Sequence, residues 1–93
     1  MRIGIALNLL APDNGGVTNY VLTLLRHWPE YAPDHPMVLF SFAHNEPLLR
    51  TLPAAARRHE IRLQTQEEAL QHFDKIDIYF CPFGTLWPRP VRK

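Results

Sequence analysis

The fold is decided by three consecutive stretches: MRIGIALNLL (residues 1–10), APDNGG (11–16) and VTNYVLTLLRHW (17–28). The first is a short apolar run typical of a buried strand, and the second is a cluster of turn formers. The third has apolar side chains spaced as on one face of a helix, with Thr18 and Asn19 on the polar face. The apolar positions are Val17, Tyr20, Val21, Leu24, Leu25 and Trp28. A strand, a glycine loop and an amphipathic helix therefore begin an α/β protein.

Composition limits the chain to one small domain and to ordinary globular chemistry. Its 93 residues are 46% apolar and 20% charged, with a net charge of +1, so nucleic-acid binding is not expected. The single cysteine, Cys81, excludes an internal disulfide and favours a reducing cytoplasm. The histidines and Cys81 show no metal-ligand spacing, so neither a metal nor a cofactor is expected. No signal peptide is apparent, and no stretch approaches the roughly 18 apolar residues of a membrane span.

The rest of the chain alternates between strand and helix patterns. After a first helix ending near Trp28-Pro29, we expect a strand at 37–42, a weak helix or two short ones at 46–58, a strand at 61–63, a helix at 67–73 and a strand at 77–81. Asn45 and Thr65 are the expected caps of the two later helices. This alternation predicts a doubly wound parallel sheet with strand order 3-2-1-4. Ligands bind at the switch point of such a sheet, here between the loops at 8–16 and 82–84.

The glycine loop is the first candidate binding site. Gly15 and Gly16 leave backbone N–H groups unshielded at the start of the first helix, where the helix dipole favours a phosphate or carboxylate. The alternative is that residues 13–16 are only a turn and a cap, for which glycine is the default residue. The residue pattern leaves both interpretations open.

The quoted residues also carry a family resemblance. The opening MRIGIALNLLAPDNGGVTNYV resembles that of retaining glycosyltransferases of the GT-B fold, especially family 4, and DIYFCPFG at 77–84 resembles their fourth strand and turn. The resemblance implies that residues 1–93 are the first half of a Rossmann-like N-terminal, acceptor-side domain. It implies transfer of a sugar from a nucleotide-sugar donor to a glycan or other acceptor. The donor-binding C-terminal domain is absent from these residues, so the chain alone is expected to be inactive.

The resemblance assigns roles to individual residues. It places the donor diphosphate at Gly15 and Gly16, where no bulky side chain would be tolerated, and the acceptor at Asn8, Asp13, Asn14, His44 and Phe83. It assigns no catalytic residue and no metal ligand to this part of the family's sequence. For His44 the alternative is a solvated loop histidine, and for Phe83 it is packing over the open sheet.

Two kinds of contact with other molecules are also expected. The strand at 77–81 would be an apolar sheet edge, and such edges pair with other chains, so we expect self-association. Family members meet anionic membranes through this domain, which suggests peripheral contact with the inner face of the membrane by the basic group Arg57, Arg58, His59 and Arg62. A solvated helix end is the alternative for that group.

Two other functions compete with glycosyl transfer. A dinucleotide-binding oxidoreductase fragment would need G-x-G-x-x-G, whereas this chain has only adjacent glycines at 15 and 16. A small non-enzymatic α/β module that acts by self-association is the third hypothesis. The expected location is the cytoplasm, with the peripheral membrane contact described above.

Overall fold

Four parallel strands form one sheet in the order β3-β2-β1-β4 in the computed structural model, which describes residues 2–11, 15–65 and 67–82. The strands are β1 (Ile3–Ala6), β2 (Met37–Ser41), β3 (Ile61–Arg62) and β4 (Ile78–Phe80). The helices are α1 (Gly15–Tyr31), α2 (Glu46–Leu49) and α3 (Glu67–Leu70), with 3-10 turns at Ala43–Asn45, Ala54–Arg57 and Phe73–Lys75. The predicted fold class and strand order are confirmed.

The two central strands carry the core, because both of their faces are covered. Every residue of β2 is buried, which explains why its sequence MVLFS shows no alternation of apolar and polar residues. In the register, Ile5 of β1 lies beside Leu39 of β2 on one side and Phe80 of β4 on the other. Ile5 and Leu39 are fully buried, and each such side chain contributes about 1.5–3 kcal/mol to folding.

The core is divided into two clusters. One contains Ile5 and Leu39 together with Val21 and Leu25 of α1. The other contains Val38 and Phe40 with Ala69 of α3. Because strand residues alternate between faces, the sheet is covered by α1 on one face and by α3 on the other, as expected of a doubly wound fold.

Close packing on the α3 face depends on Gly4. A Cβ atom at this position would lie 3.1 Å from Cδ1 of Tyr79 and 3.2 Å from Cγ2 of Ile76. The absent side chain lets the Tyr79 ring pack over β1. Burial raises the pKa of the Tyr79 phenol above its ordinary value, and its hydroxyl has no hydrogen-bond partner among the described residues.

The first helix runs further than the sequence predicts. It was expected to end near Trp28-Pro29 but continues through Pro29 to Tyr31. Pro29 lacks an N–H group and so cannot donate to a helical carbonyl. Because it lies in the last turn of α1, only two helical residues follow this gap. The end is held by the Ala32 N–H, which donates to the Trp28 carbonyl at 2.9 Å, and by the Trp28 indole N–H, which donates to the His35 carbonyl at 2.6 Å.

The buried side of α1 also differs from its apolar face. Val17 and Tyr20 belong to the apolar face but are 39% and 57% exposed, whereas polar Thr18 is 3% exposed. At 3.6 residues per turn, the buried stripe is rotated by roughly 60° from the apolar stripe. The Thr18 hydroxyl donates to the Ala11 carbonyl at 2.7 Å, so its burial is compensated by a hydrogen bond.

The later elements are shorter than predicted. Residues 46–58 form α2 and a separate 3-10 turn, the second of the two possibilities left open, and α3 ends at Leu70. The strand predicted at 61–63 is reduced to Ile61–Arg62. Asn45 was expected to cap α2, but its side chain makes no cap hydrogen bond, because it is directed to other partners.

Candidate functional site

The candidate site lies at the carboxyl ends of β1 and β2. The chain leaves β1 through Leu7, whose N–H donates to the Phe40 carbonyl at 3.1 Å, and then turns so that the Leu10 N–H donates to the Leu7 carbonyl at 3.0 Å. The loop leads towards Gly15, where α1 begins. The predicted strand, loop and helix therefore follow one another at the carboxyl end of β1, and β4 is the neighbouring strand.

Asn45 holds this loop from the β2 side. Its side chain is fully buried, and its amide nitrogen donates to the Leu7 and Leu10 carbonyls, both at 3.1 Å. Its Oδ1 accepts the N–H of Phe42 at 2.8 Å. One amide thus joins the loop after β1 to the loop after β2. Sequence reasoning missed this role, and an Asn three residues after the end of a predicted strand was the one signal for it.

Thr18 holds the far end of the same loop. Besides donating to the Ala11 carbonyl, its Oγ1 lies 3.4 Å from the Ala11 N–H, which donates to it. Both polar groups of Ala11 are therefore bonded to one side chain in the first turn of α1. Residues 7–11 are therefore bonded to Asn45 on the β2 side and to Thr18 of α1.

His44 lies against the loop after β1. Its Nε2 lies 3.2 Å from the Asn8 carbonyl oxygen, and the ring donates there when Nε2 carries the proton. The ring is stacked on Phe42 with centroids 5.8 Å apart and an interplanar angle of 16°. The structure therefore brings together two of the candidate acceptor residues, Asn8 and His44. Both neighbours of the ring limit the positions it can take.

The two glycines are exposed at the start of α1. A Cβ atom at Gly15 or Gly16 would meet no described residue within 4 Å, so packing against the described part of the chain does not require either glycine. Their N–H groups belong to the first turn, where backbone donors lack helical partners. The other candidates, Asp13, Asn14 and Phe83, lie outside the described residues.

A shallow depression adjoins His44 at the carboxyl ends of β2 and β3. It is lined by Phe42, Ala43, His44, Arg62, Leu63 and Gln64. The lining combines an aromatic ring, an imidazole, a guanidinium and an amide. Such side chains suit a ligand that carries hydroxyl groups.

An ion-pair network lies at the carboxyl ends of β2 and β3. Arg57 contacts Glu46 at 2.9 Å and Glu60 at 2.7 Å, and Arg62 also binds Glu46. Glu60 in turn accepts the Ser41 hydroxyl at 2.7 Å, at the end of β2. The basic group recognised in the sequence is therefore divided, because two of its arginines are bound to carboxylates. The Glu partners at 46 and 60 were not recognised from sequence.

This network predicts a pH dependence of stability. The hydrogen bond from Arg57, opposed by some desolvation and reinforced by the charges of Arg57, Arg62 and Arg50, holds the pKa of Glu46 below its ordinary 4.5. A carboxyl group with a depressed folded pKa stabilises the fold at pH values above its unfolded pKa, and this contribution is lost as pH falls through the folded value. As the pH falls below about 4.5, the free energy of unfolding should therefore decrease.

Thermal unfolding of the unmodified chain and of Glu46→Gln, followed from pH 7 towards pH 3, measures this contribution. The variant should unfold at the lower temperature near neutral pH, and the difference should shrink as the medium becomes acidic. Glu67→Gln, an exposed change in α3, is the control and should follow the unmodified chain at each pH. A gap between the unmodified chain and Glu46→Gln that is constant with pH would contradict the prediction.

Two kinds of feature are not found in the described part of the chain. Among residues 2–11, 15–65 and 67–82, no group of three or more His, Cys, Asp or Glu side chains could hold a metal ion. None of the helices within those ranges has the length and apolar character needed to cross a bilayer. Comparisons with protein-family models, with curated proteins and with solved structures found no match.

Proposed function

We propose that this chain is the N-terminal, acceptor-side part of a retaining GT-B glycosyltransferase and forms the first half of its Rossmann-like domain. The observation that carries the proposal is the switch point. Strands β1 and β4 are parallel neighbours, and the loop after β1 runs to a helix that starts with Gly15-Gly16. Ligands of doubly wound sheets bind at this place, and a helix start receives phosphate.

In this proposal, different residues bind the donor, bind the acceptor or position the loop. The N–H groups of Gly15 and Gly16 bind the donor diphosphate, and no described side chain crowds the space beside the two glycines. His44, held against Asn8 and Phe42, binds an acceptor hydroxyl. Asp13, Asn14 and Phe83 complete the acceptor side in this proposal, as the family resemblance implies. Asn45 and Thr18 act only by positioning the loop.

The proposal also implies molecules beyond this chain. A second Rossmann-like domain of the same longer polypeptide would hold most of the nucleotide sugar, and a glycan or other acceptor would enter between the domains. The enzyme would work in the cytoplasm, with peripheral contact at the inner face of the membrane. Arg58 and His59 would serve that contact, since Arg57 and Arg62 are bound to Glu46 and Glu60.

A nucleotide titration tests the proposal on this chain. Amide spectra of the ¹⁵N-labelled protein are recorded with UDP, with GDP and with NAD. We expect UDP or GDP to shift the amides of Gly15, Gly16 and Val17, and we expect Gly16→Leu to abolish these shifts because its side chain enters the phosphate space. The control Thr23→Leu adds the same side chain to an exposed position of α1 and should leave binding unchanged.

Three results would speak against this function. Shifts produced by NAD but by neither UDP nor GDP would favour the oxidoreductase alternative. Saturating shifts that Gly16→Leu leaves intact would place the nucleotide elsewhere. The absence of shifts at the α1 start with every nucleotide would remove the glycine loop from the proposed donor site.

One observation favours the non-enzymatic alternative, a module that self-associates through β4. Among the described residues, β4 pairs with a strand on one side only, and Ile78 is 48% exposed beside that edge. Unpaired apolar edges pair with other chains, and a lysine there prevents it. Light scattering after size exclusion should show association that Ile78→Lys removes. A monomer at high concentration would overturn this alternative.

A further inference from the structure

A separate cavity lies at the opposite end of the strands, where β2 begins. It is a partly open cavity of about 150 Å³ between the end of α1, the loop before β2 and the 3-10 turn at Ala54–Arg57. Its lining is mostly apolar and includes the Trp28 indole, three prolines and Met37. The proposed donor and acceptor sites use none of these residues, although Arg58 and His59, proposed above for membrane contact, also line the cavity.

The cavity walls are held in place before any ligand arrives. The Trp28 indole N–H is bound to the His35 carbonyl at 2.6 Å, and the His35 N–H donates to the Ala32 carbonyl at 3.1 Å. Pro33 and Pro36, which both line the cavity, restrict the backbone of the same loop. A ligand therefore does not have to order this wall when it binds, which favours affinity.

The volume suits one aromatic ring. An apolar cavity of about 150 Å³ is large enough to bind benzene in a protein interior. The flat faces of Trp28 and of the neighbouring prolines are suitable surfaces for a second ring to pack against.

The charges at the cavity favour an anionic substituent on that ring. Arg58 and His59 both line it. Their neighbours Arg57 and Arg62 are bound to glutamates, but the part of the chain that the structure describes offers no carboxylate partner to Arg58 or His59. Among residues 2–11, 15–65 and 67–82, no Asp or Glu lines the cavity. An arginine fork matches a carboxylate in geometry and charge.

We propose that this cavity binds a small aromatic carboxylate, with the ring between Trp28 and the prolines and the carboxylate paired with Arg58. His59 adds positive charge when it is protonated. The competing explanation for Arg58 is that it offsets the partial negative charge at the carboxyl end of α1, which has no basic residue in its own last turn.

The test is a titration of the ¹⁵N-labelled chain with sodium benzoate, at an ionic strength matched with sodium chloride. Benzyl alcohol is the neutral probe of similar shape. We expect saturating shifts of the Trp28 indole N–H and of the amides at 55–59, with benzyl alcohol binding about tenfold more weakly. Arg58→Gln should weaken benzoate about tenfold, or about 1.4 kcal/mol, without changing the affinity for benzyl alcohol.

Matched variants separate occupation of the cavity from general effects. Ala55 is exposed and lines the cavity, so Ala55→Leu should fill it and abolish binding of both probes. Ala54→Leu, an exposed change in the same turn outside the lining, should bind normally. Arg26→Gln removes an exposed charge of α1 and should leave benzoate binding unchanged.

The proposal is overturned if benzoate gives no saturating shifts at the cavity, or if Ala54→Leu and Ala55→Leu act alike. It is also overturned if Arg58→Gln lowers the free energy of unfolding but not the affinity for benzoate. That result would assign Arg58 to the end of α1.

Discussion

Asn45→Ala should lower the free energy of unfolding by about 3–5 kcal/mol, because it removes three hydrogen bonds from the interior at once. The Leu10 carbonyl and the Phe42 N–H would lose their bonds to Asn45 at 3.1 and 2.8 Å, and the Leu7 carbonyl would keep the Leu10 N–H but lose the Asn45 amide. Each buried polar group left without a partner costs about 1–3 kcal/mol, and water can restore only part of this at a site that is 0% exposed.

Urea unfolding of the purified variants measures the loss. Asn19→Ala is the control, since Asn19 is exposed on α1 and its replacement should change stability by less than about 0.5 kcal/mol. Amide exchange should also rise at residues 7–11 in Asn45→Ala, because the loop loses its connection to the β2 side. An equal, small effect of the two alanine variants would refute the role given to Asn45.

Asn45→Asp makes the test independent of side-chain volume. It keeps the shape and the acceptor for Phe42 but places a charged oxygen against the carbonyls of Leu7 and Leu10. At neutral pH we expect it to be at least as unstable as Asn45→Ala. In acid, the protonated Asp carboxyl regains one donor. The difference in free energy of unfolding between Asn45→Asp and Asn45→Ala should therefore become smaller. Tolerance of Asp at neutral pH would show that the amide nitrogen does not face these carbonyls.

Phe40→Ala should be of similar severity, with a loss of about 3–5 kcal/mol. Phe40 is fully buried at the centre of the aromatic group on the α3 face. Its ring centroid lies 5.4 Å from that of Tyr79, 5.9 Å from that of Phe73 and 6.4 Å from that of His72. The variant loses the transfer free energy of the ring, leaves a cavity and ends three aromatic contacts.

Phe40→Leu separates volume from aromatic geometry. It retains most of the apolar bulk and should cost less than half of what Phe40→Ala costs. The near-ultraviolet circular dichroism of the Tyr79 environment should weaken in both variants, and urea midpoints should rank the unmodified chain above Phe40→Leu and Phe40→Ala. If the two variants were equally stable, the cavity contribution assigned to this face would be wrong.

The sequence determined the architecture because its signals are local. Continuous apolar runs such as MVLFS at 37–41, alternating with helical spacing, require a sheet covered on both faces, and short right-handed connections leave few strand orders. The start of α1 at Gly15-Gly16 and the edge position of β4 follow from the same patterns.

Only the tertiary structure decided which side chains meet. The apolar stripe of α1 marked Tyr20 as buried, yet the bond from Thr18 to Ala11 turns another side of the helix to the sheet. Asn45 had the position of a helix cap, but its partner Leu7 is 38 residues away. Periodicity reports the conformation of one segment, whereas a hydrogen bond or ion pair depends on where a distant segment brings its polar groups. Packing of distant segments therefore decided three features: the hydrogen bonds from Asn45 to the loop after β1, the ion pairs around Glu46 and the cavity beside Arg58.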